Sequence, residues 1–185
     1  MELFLPKGIF NYLEFVFTGK LYFYSQLKKQ LTLERLFNIT LQNRKLLYKI
    51  LKNTPKEQLI TIPDGYRNSI WWNIAHVVVT QQLLVYKLSG QEMKVPTAIV
   101  DKFKKGTVPD GTATDEEMDM IKGFLFSTVE WAQGDYESGL FKDFNEYMTS
   151  ANVALNNVED AIVFNTFHEG IHLGVILSLQ KALMK

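Results

Sequence analysis

The stretch Ser69-Ile70-Trp71-Trp72-Asn73-Ile74-Ala75-His76-Val77-Val78-Val79-Thr80 opens a run that continues to Leu88 and stops at Gly90. Its length and composition predict a helix over 69–88, ended by a glycine suited to the left-handed stop position. Trp71, Trp72, Ile74, Val77 to Val79, Leu83, Leu84 and Val85 place apolar groups almost all round it. A helix without a polar face has to be central and buried. Other helices are then needed to cover it, and the rest of the chain is read for them.

Toward the N-terminus, Leu33, Leu36, Phe37, Thr40, Leu47 and Leu51 recur at three- and four-residue spacing and predict a helix over 32–53, with Thr32 as its cap. Arg44 falls on that apolar stripe and is expected to snorkel outward, the commoner outcome, or else to reach toward a pocket. Toward the C-terminus, Thr114-Asp115-Glu116-Glu117 reads as a capping box that opens a helix running to about Gln133. A last helix begins near Asn157, with Glu159 and Asp160 in its first turn, and continues almost to the end. Residues 54–67 and 91–113 carry the prolines and glycines of connections, and 135–155 are poorly patterned. No strand is expected after residue 30. The fold class is all-α, a four-helix bundle over 31–185.

Residues 1–30 form a separate aromatic arm. Leu13-Glu14-Phe15-Val16-Phe17, Thr18-Gly19 and Lys20-Leu21-Tyr22-Phe23-Tyr24 resemble a β-hairpin with a two-residue turn; a plain packing arm or a helix is the alternative. Its aromatic side chains make it a candidate for dimer contact.

Composition narrows the function. Lysine plus arginine and aspartate plus glutamate each number 20, so the formal net charge is zero. Nucleic-acid binding usually leaves a basic excess, and none is expected here. The basic run Lys102, Lys104 and Lys105 reads as a solvated loop. The absence of cysteine removes disulfides, thiolate nucleophiles and every Cys-based zinc motif. Charges interrupt each apolar run short of a transmembrane span, and the N-terminus lacks the basic start and small-residue cleavage site of a secretory signal, so a cytoplasmic location is expected.

The chain has three histidines. His168 and His172, spaced i, i+4 on the last helix, put two imidazoles on one face, able to grip one ion. His76 lies in the buried central helix and needs a polar partner there. One shared divalent metal accounts for all three; a hydrogen-bonded core histidine and a chance HxxxH are the alternatives. His168-Glu169-Gly170-Ile171-His172 also fits the H-E-x-x-H zinc-protease signature, with Glu169 as general base. Leu173 to Lys185 hold no His, Asp or Glu, and Gly170 weakens the helix, so a protease is not expected. Trp72, Asn73 and Thr80 share the face of His76, and Phe164 and Asn165 that of His168. The asparagines can orient an imidazole or a water, whereas Trp72 and Phe164 read first as core.

Trp72-Asn73-Ile74-Ala75-His76-Val77, followed much later by Phe167-His168-Glu169-Gly170-Ile171-His172-Leu173-Gly174, resembles the DinB-like superfamily. The resemblance covers residues 31–185. It implies a helical bundle with a divalent metal, commonly zinc or nickel, on His76, His168 and His172. It further implies an open coordination position, a homodimer, and a small-molecule substrate. Some members transfer low-molecular-weight thiols; many have no known activity. The implied function is therefore a metal-dependent enzyme activating such a thiol or water, for transfer or hydrolysis, with no membrane partner. A metal-stabilised binding module without turnover is the alternative.

Overall fold

The computed structural model describes residues 7–184, with side chains described from 20 onward. Its elements are α1 (Lys7–Asn53), α2 (Lys56–Ile60), α3 (Ile70–Gln81), a π-helical turn (Gln82–Lys87) that continues α3, α4 (Thr97–Phe103), α5 (Asp115–Glu137), a ribbon of β1 (Tyr147–Met148) and β2 (Ala154–Leu155), and α6 (Val158–Leu183). The described residues fall into two units, one ending at Arg35 and one beginning at Leu36.

In the first unit the expected hairpin is absent: residues 13–24 are helical, as part of α1. Helix propagation costs little once a turn exists, so the good helix formers beyond Gln26 carry the helix back through Gly19. Thr32 is accordingly not a cap; its hydroxyl donates to the Lys28 carbonyl within the helix. Leu21, Tyr22, Phe23 and Tyr24 are each more than half exposed.

The second unit is the all-α bundle expected. Its core is α3, where every residue except Thr80 is buried. The Ser69 hydroxyl caps it by accepting from the Trp72 amide. Around it pack Leu47 and Leu51 of α1, Ile121 and Leu125 of α5, and Ile176 and Leu179 of α6. The Thr114 and Glu117 capping box forms in both directions at the start of α5. Asn157 caps α6 through the Asp160 amide. Gly90, at φ +69°, closes the helical run, with the Gln91 amide donating back to the Tyr86 carbonyl at 2.9 Å.

Further features depart from the sequence reading: the connection 54–67 contains α2, and the helical run after Gln81 is a π-turn. The connection 91–113 contains α4, which begins just after Pro96, a residue well tolerated at a helix start. Residues 147–155 form a two-stranded antiparallel ribbon, with Asn152 left-handed at its turn. Finally, α6 is long and apolar enough to cross a membrane by length and composition. Between Asp160 and Lys181 its only charge is Glu169, and that charge lies inside the protein.

Glu169 meets Arg44. Neither side chain has any exposed surface. Arg44 Nε donates to Glu169 Oε2 at 2.8 Å and Nη2 to Oε1 at 2.7 Å, a forked pairing. Asn43 and Asn165 add bonds to the same two oxygens, at 3.1 and 2.8 Å. Arg44 Nη2 also donates to the Val77 carbonyl of α3 at 3.1 Å. Arg44 therefore does not snorkel; it ties α1, α3 and α6 together. Removing one partner of such a pair strands a charge, at about 3–5 kcal/mol, whereas removing both is far less costly. Urea unfolding at pH 7 should show Arg44→Leu destabilised by about that amount, and Arg44→Leu combined with Glu169→Leu recovering most of it. An equal loss in both variants would show that charge is not what the pair compensates.

Candidate metal centre

His76 projects from the middle of α3, and His168 and His172 from successive turns of α6, the helix that packs most extensively on it. One ring nitrogen from each lies within 4.8 Å of the others. His168 Nε2 and His172 Nε2 approach to 3.1 Å. The ring centroids of His76 lie 5.3 Å from those of His168 and 4.7 Å from those of His172.

Two of the imidazoles have their tautomer set by carbonyl oxygens. His76 Nδ1 lies 2.6 Å from the Phe103 carbonyl, which only accepts, so Nδ1 carries the proton. That carbonyl belongs to the last turn of α4, where helix carbonyls lack partners in their own helix. His172 Nδ1 lies 2.7 Å from Asn73 Oδ1. The Asn73 amide nitrogen is committed to the Ser69 carbonyl at 2.8 Å, so its oxygen faces the ring and His172 Nδ1 donates. Both rings thus keep Nε2 as a bare lone pair toward the cluster, the form in which histidine binds a metal. Thr80 Oγ1 stands 3.2 Å from His76 Nε2. His168 Nδ1 is buried without a hydrogen-bond partner. A donor set of convergent neutral imidazoles, two of them oriented from behind, fits a borderline divalent ion such as zinc or nickel.

The electrostatics agree with this. Burial lowers the pKa of all three histidines from the ordinary 6.5. His168 falls to about 4, through burial and then the nearby His76 and Arg44. His172 falls to about 3, through burial and then its two histidine neighbours.

The other sequence candidates divide. Trp72 stacks on His76, centroids 4.4 Å apart and planes 13° from parallel, and its indole donates to Thr107 Oγ1 at 3.0 Å. Asn73 orients His172, and Thr80 touches His76, as above. Asn165 does not meet an imidazole; it donates to Glu169. Glu169 does not reach the rim of the site, because both its oxygens are held in the seam with Arg44.

A cavity of about 280 Å³ opens beside the cluster, lined by His76, His168 and Thr80 together with Leu83, Leu84, Leu88 and Phe164. The π-turn contributes to its shape. The Leu88 amide bonds the Leu83 carbonyl, five residues back, which stacks Leu88 over Leu83 on the cavity side. Tyr147, Thr149 and Ser150, from the ribbon region, and Lys87 and Lys105 complete it. None of these was singled out as a site residue from the sequence. Their only signals were local, in a segment without periodicity and a basic run that reads as solvent-facing.

The molecule is thus an α-helical bundle carrying a three-histidine group, His76 buried and His168 and His172 half-buried, that could hold a metal ion, next to a small cavity. Residues 39–176 match the DinB superfamily, and the chain belongs to that family. No curated protein sequence matches it.

All the histidines of the chain sit in this one cluster, which makes pH a specific probe. The unfolded chain takes up protons near pH 6.5 and the folded cluster only well below that. The stability contributed by neutral burial is therefore complete above pH 6.5 and is lost as pH falls toward about 4 and then 3. The melting temperature of metal-free protein should fall between pH 7 and pH 5, above the carboxylate range. A variant with all three histidines changed to glutamine should be flat across that window. A slope that persists in the variant would place the linkage elsewhere.

Proposed function

We propose that this protein is a metal-dependent enzyme that holds one divalent ion, zinc or nickel, on His76, His168 and His172. It activates a low-molecular-weight thiol for transfer to a small-molecule substrate. The observation that carries the reading is the convergence of three neutral imidazoles, two of which, His76 and His168, line a mainly apolar cavity. Three neutral ligands leave the charge of a divalent ion uncompensated, and such an ion lowers the pKa of a bound thiol or water.

The surroundings favour a thiol over water. Among the described residues no carboxylate lines the cavity, and Glu169 is already committed to Arg44. Hydrolysis needs a group to move protons to and from water and the leaving group, and no acid stands in place for it. A thiol has a lower pKa, so it is the easier of the two to use as an anion. The chain has no cysteine, so the thiol has to be a co-substrate. In this reading Asn73 and the Phe103 carbonyl aim the imidazoles, Trp72 shields His76 from water, and Glu169 positions α6. A binding module without turnover is the competing reading, but a closed structural site has no need of an adjoining cavity.

We place the protein in the cytoplasm as a homodimer. Support for the dimer comes from α6, where Val163, Phe167, Ile171 and Leu177 form an exposed apolar stripe, and from α1, where Ile39 and Leu46 are each about half exposed. Phe167→Glu should shift sedimentation from twice the 21.4 kDa chain mass to the chain mass itself. An unchanged dimer would remove this face as the interface.

Elemental analysis after zinc loading should find one equivalent in the wild type and none in His76→Ala. Asn73→Ala should bind about 10–100-fold more weakly. Wild-type metal content in His76→Ala would overturn the three-histidine centre. Turnover of a thiol and an electrophile by the zinc-loaded protein, lost on chelation, separates the enzyme from the binding module.

A further inference from the structure

The same cavity carries a charge pattern that narrows its ligand. Lys87, on the π-turn, and Lys105, just after α4, are its only charged lining residues apart from the histidines. Both are exposed, whereas His76 is buried and His168 half-buried, so the amines stand toward solvent and His76 toward the interior. The lysines near them in sequence are neutralised: Lys102 by Glu117 at 2.9 Å, Lys104 by Asp101 at 2.8 Å, and Lys94 by Asp135. Lys87 and Lys105 have no carboxylate partner among the described residues. Two positive charges are therefore left uncompensated beside walls made of Leu83, Leu84, Leu88 and Phe164.

We infer that the cavity takes a small molecule with an apolar body and an anionic end group, carboxylate or phosphate, which Lys87 and Lys105 hold at the entrance while the body points toward the histidines. The inference rests on the reading of this cavity as the substrate site. The body gains by leaving water along the leucines and Phe164. The anion gains from two ammonium groups, which hold a carboxylate or phosphate as point charges without requiring a fixed geometry. An amphiphile bound this way keeps its charge in solvent, avoiding the cost of burying it.

Calorimetric titration of the full-length chain, freed of metal by chelation, tests this with octanoate, octyl phosphate and octanol. Working without metal removes direct coordination of the probe. One or both anions should bind roughly tenfold more tightly than the alcohol, as two partly exposed charge pairs would give. Lys87→Ala with Lys105→Ala should bring that anion down to the level of octanol and leave octanol unchanged. Lys122→Ala, which removes a lysine far from the cavity lining, should behave as wild type. Equal affinity for anion and alcohol, no binding of either anion, or full anion affinity in the double variant would overturn the inference. Zinc content, measured separately on loaded samples, keeps the two readings distinct. A wild type without bound zinc refutes the metal centre even where lysine-dependent binding persists. A double variant with full zinc and wild-type anion affinity refutes only the lysines.

Discussion

A carboxylate buried between two histidines of one helix leaves that helix little rotational freedom. Glu169 is flanked by His168 and, three residues on, by His172, and both its oxygens are engaged by Arg44, Asn43 and Asn165. Turning α6 about its axis would break charged bonds with no water at hand to replace them. The ion pair therefore fixes the direction in which the two imidazoles leave the helix. The bond from Arg44 to the Val77 carbonyl, one residue beyond His76, extends the constraint to α3. One guanidinium thus sets the relation between the two helices that carry all three histidines. A buried pair of this kind is weak evidence for stability by itself, and its best-attested use is to specify register. Here the register it specifies is that of the site.

This arrangement changes the meaning of the sequence around Glu169. As a string, His-Glu-x-x-His reads as a zinc site with its own base, because the Glu is adjacent to a ligand. Adjacent residues on a helix point about 100° apart, so one faces the cluster while the other can face a different neighbour. Arg44 is the matching oddity: a charge in an apolar stripe of α1. Each residue looks anomalous in its own helix, and the two anomalies explain each other. No single-helix pattern reveals a pairing across 125 positions of chain.

Much of the bundle was legible because its signals are local and physical. The all-apolar α3, the capping box at Thr114 and Glu117, the stop at Gly90 and the i, i+4 histidines all act within a turn or two of helix. What escaped depends on longer range or on competition between weak preferences. The aromatic, β-branched-looking run 13–24 carries strand propensity, but strand propensity describes packing on a pleated surface more than a backbone preference, and a helix already running from both sides overrides it. The π-turn needs a hydrogen bond to slip by one residue, and composition does not mark that. The ribbon at 147–155 is too short for periodicity to register. These last two shape the cavity, so the histidines, Thr80 and Phe164 were readable while the rest of the wall was not.

The electrical balance of the site follows from the same residues. Arg44 helps to lower the basicity of His168, yet its charge is cancelled at contact distance by Glu169. Burial above all keeps the imidazoles neutral, and the Glu169 charge leaves no net positive charge behind them to oppose a metal cation. On the cavity side no carboxylate among the described residues balances the cluster, and Lys87 and Lys105 have no carboxylate partner among them. A divalent ion held there would keep most of its charge, facing a mainly apolar space with few competing hydrogen bonds. In such surroundings an anion near the ion would gain more than in water, since the field of the ion is weakly screened there, whereas the amines act from the solvent side. Among the described residues the one buried carboxylate, Glu169, is held in the seam with Arg44, and none lines the cavity. Under the function proposed above, that asymmetry favours negative charge in the cavity, whether on a thiolate or at the end of an apolar substrate.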